Sequence, residues 1–286
     1  MQTLTRPWGA MHYRTEGPAG APQVVFANSL GTDLRLWDHV LPLLPDLQLI
    51  RFDKRGHGLS DPGGDVSIAD LAEDAIALIE SLANGPLVFV GLSIGGMIGQ
   101  AVAARRPDLL RGLVLSNTAA KMGTAEAWNT RIAAVQAGGI ASIADAVMER
   151  WFAPAFRATP DLSLWRNMLI RTPVEGYVAA CAAIAAADLA DETAKLRLPV
   201  LVIAGADDGA SPPDLVEATA RLIPGAAFHT IAGAGHLPGH DVGVMLHLRD
   251  DDLVAGFDAQ PQPVGHQIDR LGPALGPDDL FGALGV

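Results

Sequence analysis

Directly after the apolar stretch Leu87–Val90 the chain runs Gly91-Leu92-Ser93-Ile94-Gly95, and a helical stretch follows that ends before Pro107. A strand turned into a helix within so few residues brings the two backbones together at distances that only glycine tolerates. The serine is then held in a strained conformation, with its hydroxyl above the end of a sheet. It also stands at a helix N-terminus, where free N–H groups and the dipole favour negative charge. With 31 glycines in 286 residues, chance yields about 0.1 pentapeptides of the form Gly-x-Ser-x-Gly. The plainer alternative is a glycine-rich turn with an incidental serine.

The surrounding sequence supplies the sheet that such a turn needs. Short, nearly continuous apolar runs at Val24–Asn28, Gln48–Asp53, Leu87–Gly91 and Leu113–Asn117 predict strands covered on both faces, joined by crossover helices into a mainly parallel sheet. Ser67–Leu82 places Ile68, Leu71, Ala75, Leu78 and Leu82 on one stripe, behind a Ser67 cap with Asp70 three residues on. From about Met122 to Ala190 the strand pattern stops. This stretch is alanine-rich and helical, and holds Trp128, Trp151 and Trp165 with Phe152 and Phe156. Strands resume at Val200–Ala204 and Phe228–Ile231, so the helical stretch interrupts one sheet and reads as a lid over it; a helical pair inside the main core is the alternative. The chain is 49% hydrophobic and 18% charged, enough apolar surface for a large core and too little charge for a disordered chain.

Charge and cysteine content remove several function classes. A net charge of -12 repels nucleic acid phosphates and anionic membrane surfaces. The longest apolar run, Val178–Ala187, is far shorter than the roughly 20 residues of a membrane span, and the polar start Met1-Gln2-Thr3 has no signal-peptide core, so a cytoplasmic protein is expected. A single cysteine, Cys181, precludes an internal disulfide framework and reads as a small packed residue among alanines.

A serine at such an elbow is inert unless a base takes its proton and a carboxylate orients the base. The chain order for this architecture is Ser, acid, His, which leaves His229, His236, His240, His247 and His266 as candidate bases. His236 follows the loop Ala232-Gly233-Ala234-Gly235 after the last strand, from which a side chain reaches over the sheet edge; His229 lies inside that strand and reads as packed or surface. The acid belongs after Val200–Ala204, where Asp207 and Asp208 stand. Asp208, three residues after Gly205 and ahead of Pro212, is the predicted acid, with Asp207 as a solvated turn residue.

Acyl transfer also needs two N–H donors for the oxyanion. The amides of Ile94, next to the nucleophile, and of Leu30, in the loop Asn28-Ser29-Leu30-Gly31, are the candidates; alternatively Asn28 and Gly31 only build a turn. The stretch from Asp53 to Ser60 carries His57 ahead of Ser93, the wrong order for a base, and is expected to be a structural turn. No cysteine or second carboxylate stands near His229, His236 and His240 at ligand spacing, and the elbow lacks the glycine spacing of a dinucleotide site and the lysine of a phosphate loop, so neither metal nor organic cofactor is expected.

Together these residues resemble the α/β-hydrolase superfamily. Asn28-Ser29-Leu30-Gly31-Thr32 with Leu36-Trp37-Asp38, the elbow continued through Gly96-Met97-Ile98-Gly99, Ser116-Asn117-Thr118-Ala119, Trp128–Ile132, Arg150-Trp151-Phe152 and Ile231–Pro238 are similar to 3-oxoadipate enol-lactonases of aromatic-compound degradation. The resemblance implies a mainly parallel eight-stranded sheet with helices on both faces and an inserted helical cap. It implies a serine hydrolase that opens a small enol-lactone bearing a carboxylate; neither nucleic acid nor membrane is an expected partner, and oligomeric state is left open. Since the chain is acidic overall, an anionic substrate needs a local cation. Arg131 beside Trp128 is the first candidate, Arg150 the second, with Trp151 also lining the substrate site; a solvated surface arginine is the alternative.

The expected division is a core in two parts, 1–121 and 191–238, a cap at 122–190, and a segment 239–286 that departs from the resemblance and offers only a weak helix around Asp251–Phe257. Two other functions follow from weighting these features differently: a carboxylesterase or haloperoxidase-like hydrolase of the same fold, or a ligand-binding protein whose altered C-terminus misplaces His236.

Overall fold

The computed structural model describes residues 1–241. The strands are β1 (Gln2–Arg6), β2 (Gly9–Glu16), β3 (Gln23–Ala27), β4 (Gln48–Phe52), β5 (Leu87–Leu92), β6 (Leu110–Ser116), β7 (Val200–Gly205) and β8 (Ala227–Ile231). They form one sheet in the order β1-β2-β4-β3-β5-β6-β7-β8. The β1/β2 and β2/β4 pairs are antiparallel, and every pair from β4/β3 to β7/β8 is parallel. β3 and β5 are buried along their whole length, which is why both read as unbroken apolar runs.

The six expected strands are present, with ends displaced by up to three residues. The β1–β2 hairpin was not anticipated. It lies at the sheet edge with much of its surface half-exposed, so its residues carry polar side chains and no continuous apolar run.

The helices are α1 (Ile68–Leu82), α2 (Ile94–Arg105), α3 (Ala125–Gly138), α4 (Ala144–Trp151), α5 (Pro154–Arg157), α6 (Leu162–Ile170), α7 (Val174–Ala186), α8 (Ala190–Thr193), α9 (Pro213–Leu222) and α10 (Pro238–Asp241). α1 opens on a capping box: Ser67 Oγ accepts from the Asp70 N–H, and Asp70 accepts from the Ser67 N–H at 2.9 Å. These bonds hold Asp70 below the usual carboxylate range, with the Ser67 hydroxyl the main cause. Such a cap stabilises a helix by about 1 kcal/mol. Further along α1, buried Asp74 accepts from Arg6, Trp8 and Arg55, tying the hairpin and the 53–60 turn to the same helix.

α3 to α7 fill the connection between β6 and β7. Two backbone contacts fix this helical insert on the sheet. Gly56, at φ +67, meets Gly176 of α7 so closely that a Cβ on Gly176 would lie 2.2 Å from the Gly56 carbonyl oxygen. At the end of α4, the Gly209 N–H donates to Arg150 O at 3.1 Å and the His236 N–H to Trp151 O at 2.7 Å. Cys181, in α7, is fully buried, and burial pushes its thiol up to about 12. The expected helix around Asp251–Phe257, with His247 and His266, lies outside the described residues.

Candidate active site

The predicted nucleophile sits where β5 gives way to α2. Ser93 has φ 60 and ψ −121, a conformation that costs a non-glycine residue on the order of 1–3 kcal/mol. Its neighbours show why the pentapeptide needs its glycines. A Cβ on Gly91 would lie 2.3 Å from Gly95 O, and one on Gly95 would lie 2.1 Å from Ala27 O. The strained turn is held by Ser93 N–H donating to Ser116 O at 3.0 Å and by the Thr118 hydroxyl donating to Ser93 O at 2.6 Å.

Of the two candidate acids, the structure brings Asp208 and not Asp207 to the histidine. Asp208 Oδ2 lies 2.8 Å from His236 Nδ1, with both side chains buried, whereas Asp207 is exposed. The same oxygen accepts from Asn117 Nδ2 at 2.8 Å, and Oδ1 accepts from the Ala210 and Ser211 N–H groups at 2.7 and 2.9 Å. Four donors thus fix the carboxylate. With Nδ1 donating to Asp208, Nε2 is the lone-pair nitrogen that can receive a proton. It faces Ser29 Oγ at 3.3 Å. The indole of Trp151 stacks beside the imidazole, 6.3 Å between centroids.

The loop after β3 carries the other predicted donor. Its turn is closed by Asn28 Nδ2 donating to Thr32 O at 2.7 Å and by the Thr32 hydroxyl donating to Ser29 O at 2.9 Å. Gly31 takes φ +73, and the ring of Tyr177 from α7 lies against it, 3.1 Å from where a Cβ would stand. Among the described residues, neither the Leu30 nor the Ile94 N–H is donated to a protein acceptor. Amides left without a protein acceptor are the kind of donor an oxygen gaining negative charge requires.

Lys54, part of the stretch expected to be a structural turn, lies buried under this loop. Its ammonium donates to Ser29 O at 2.6 Å and lies 3.5 Å from Asn28 O and Thr32 O. Burial lowers it to about 7, against the pull of Asp53 and Asp33. His57 is fully buried, and burial, followed by the Lys54 charge, holds it well below the usual histidine range; it stays a neutral packing group. Asp53 ties the turn to its neighbours, accepting from Leu59 N within the turn, from Leu34 N and from His12 Nδ1 in β2.

In the insert, the Arg131 guanidinium lies over the Trp128 ring at 4.9 Å. Burial pushes the Tyr177 hydroxyl up to about 12, against the effect of the nearby Arg131 charge. Arg150 donates instead to Gly209 O at 3.0 Å beside the acid, and desolvation first, then the Arg131 charge, lowers it. His229 stands half-buried in β8. A cavity of about 520 Å³, lined by His39, Leu43, Phe156, Trp165, Met168 and His240 among others, takes in the candidate base His240 but none of Ser93, Asp208, His236, Leu30, Ile94, Trp128, Arg131 and Trp151. No group of three or more His, Cys, Asp or Glu side chains able to hold a metal occurs among the described residues.

Sequence reasoning assigned no role to Asn117, Ser29, Lys54 or Tyr177. Asn117 had a faint signal, since it is the last residue of the predicted strand Leu113–Asn117, at the level of the elbow. The others act through neighbours distant in sequence and left none.

Comparison with known proteins identifies the family and the fold. The profile of the alpha/beta hydrolase fold family matches residues 22–241. The chain is 34% identical to the 3-oxoadipate enol-lactonase 2 of Acinetobacter baylyi, over 94% of this chain and 95% of that protein. The crystal structure of the enol-lactonase from Burkholderia xenovorans superposes with a TM-score of 0.81 at 34% identity, covering 90% of this chain and 98% of that one. A thermophilic esterase from Thermogutta terrifontis, with malate bound, superposes at 0.76 with 31% identity, covering 84% and 93%.

Proposed function

The chain belongs to the alpha/beta hydrolase fold family, and we propose that it is a serine hydrolase that opens a small, carboxylate-bearing enol-lactone, 3-oxoadipate enol-lactone being the fitting example. The observations that carry the chemistry are the buried Asp208–His236 pair at 2.8 Å and, at the β5–α2 turn, a serine held at φ 60. The observation that favours the substrate class is 34% identity over 94% of the chain to an enol-lactonase.

In this reading Ser93 Oγ attacks the lactone carbonyl while His236 Nε2 takes its proton, with Asp208 orienting the imidazole and stabilising its charge. The Leu30 and Ile94 amides hold the oxyanion. His236 then passes the proton to the departing enol oxygen, and tautomerisation of the enol to a ketone makes that oxygen a good leaving group. A water activated by His236 releases the acid from Ser93.

Arg131 is the cation for the substrate carboxylate. Its guanidinium is held over the Trp128 ring and so meets the anion with less freedom left to lose. Arg150 is the weaker choice because Gly209 O holds its Nε. Arg131→Ala raises KM for the lactone far more than for an uncharged phenyl ester; equal effects on the two refute the clamp. The resemblance to the Thermogutta esterase supports a second reading, hydrolysis of neutral esters, favoured if phenyl ester turnover proceeds without lactone turnover.

A further inference from the structure

Asn117 ends the strand before the cap, in a backbone conformation that asparagine adopts at a cost. It has φ +48, and apart from Ser93 it is the sole non-glycine residue at positive φ among the described residues. Strain of this kind persists where surrounding bonds over-determine it. Here the Asn117 N–H donates to Ile203 O at 2.8 Å, and the Ser116 hydroxyl donates to Asn117 Oδ1 at 2.9 Å. With its oxygen thus engaged, the amide group presents Nδ2 in one direction only.

That nitrogen donates to Asp208 Oδ2 at 2.8 Å and to Gly235 O at 3.2 Å. The first bond goes to the carboxylate oxygen that His236 Nδ1 also meets; the second goes to the carbonyl just ahead of His236 in the chain. One fully buried amide therefore spans the acid loop after β7 and the histidine loop after β8.

We propose that Asn117 is a positioning residue for the Asp208–His236 pair, setting the direction of the carboxylate and the height of the histidine loop over Ser93. This rests on the serine-hydrolase reading above. The charged or titratable groups facing it are Asp208 and His236, with Arg150 acting on Asp208 from the end of α4.

The side chain has one isosteric replacement with opposite hydrogen-bonding character. In Asn117→Asp the ionised carboxyl offers no donor and repels Asp208, whereas the protonated carboxyl again donates an O–H to Asp208 Oδ2. The test is the second-order rate of Ser93 labelling by a fluorophosphonate in the full 286-residue chain, for wild type, Asn117→Ala and Asn117→Asp, across the pH range. Melting temperatures are measured in parallel.

At pH near 8 both variants label on the order of 10- to 100-fold more slowly than wild type, the loss expected from a catalytic group displaced by about an ångström. On going to mildly acidic pH, Asn117→Asp regains about tenfold relative to wild type and Asn117→Ala does not. With a neutral phenyl ester the loss falls on kcat and leaves KM in place. Wild-type labelling rates in both variants overturn the assignment. So does an Asn117→Asp rate that stays parallel to wild type at every pH while the melting temperature falls, since a purely structural asparagine gives that result. A wild-type chain that takes no label overturns the serine-hydrolase reading itself, and the assignment with it.

Discussion

Replacing Lys54 by methionine removes a buried cation whose ionisation differs between the folded and unfolded chain. Lys54 is 2% exposed, and burial lowers it from the ordinary 10.5 to about 7. Between those values the unfolded chain keeps a proton that the folded chain has released. Unfolding therefore takes up a proton, and stability rises with pH across that window. Below pH 7 both states are protonated, and above 10.5 both are neutral, so the dependence flattens at either end. Integrated over the window, the move from 10.5 to about 7 amounts to about 5 kcal/mol.

In Lys54→Met this dependence is absent; His57, which also feels the Lys54 charge, is neutral in the folded and unfolded chain above about pH 7.5, so from there upward the other titrating groups cancel between the two proteins. The difference in unfolding free energy, wild type minus variant, therefore grows with pH at up to about 1.4 kcal/mol per pH unit. Guanidinium unfolding followed by tryptophan fluorescence at several pH values from about 6 to about 9 measures it. Curves that stay parallel for the two proteins refute the reasoning. They would mean that the carbonyls of Asn28, Ser29 and Thr32 replace the ammonium's water in full, leaving its affinity for the proton as it is in solution.

Two further outcomes follow from the insert. Gly176→Ala places a Cβ 2.2 Å from Gly56 O, where only backbone movement gives relief; a loss of about 1–3 kcal/mol is expected, with slower Ser93 labelling because α7 carries Tyr177 off the Gly31 loop. An unchanged melting temperature counts against that contact. Cys181, buried and pushed up to about 12, stays unmodified by a thiol reagent near pH 8 in the folded protein and reacts fully in denaturant; rapid modification of the folded chain shows that α7 opens.

The parts of this molecule that sequence made legible are those whose physical cause is local. The capping box at Ser67 and Asp70, the apolar runs of β3 and β5, and the glycines around Ser93 each answer to neighbours within a few residues or to burial on both faces. The β1–β2 hairpin escaped because an edge position needs little apolar surface. Asp208 stood out from Asp207 by its spacing from Gly205, a property of the loop itself. Ser29 and Lys54 were silent, and Asn117 nearly so, because their partners are up to 207 residues away. No pattern along the chain marks a side chain whose meaning is a meeting of three loops.

The end of α4 bears on how this protein can change. Arg150 and Trp151 give their carbonyls to Gly209 and His236, so the insert is stitched to the loops that carry Asp208 and His236. In the function proposed above, where the insert roofs the substrate site, substrate range and catalytic rate are then inherited together. A chimaera that imports the insert of a relative keeps its turnover only if the 150–151 junction, Gly209 and the residues up to His236 are exchanged as one unit. A lineage drifting toward new substrates has most freedom in α3 and α6, and least in the two residues where the roof meets the machinery.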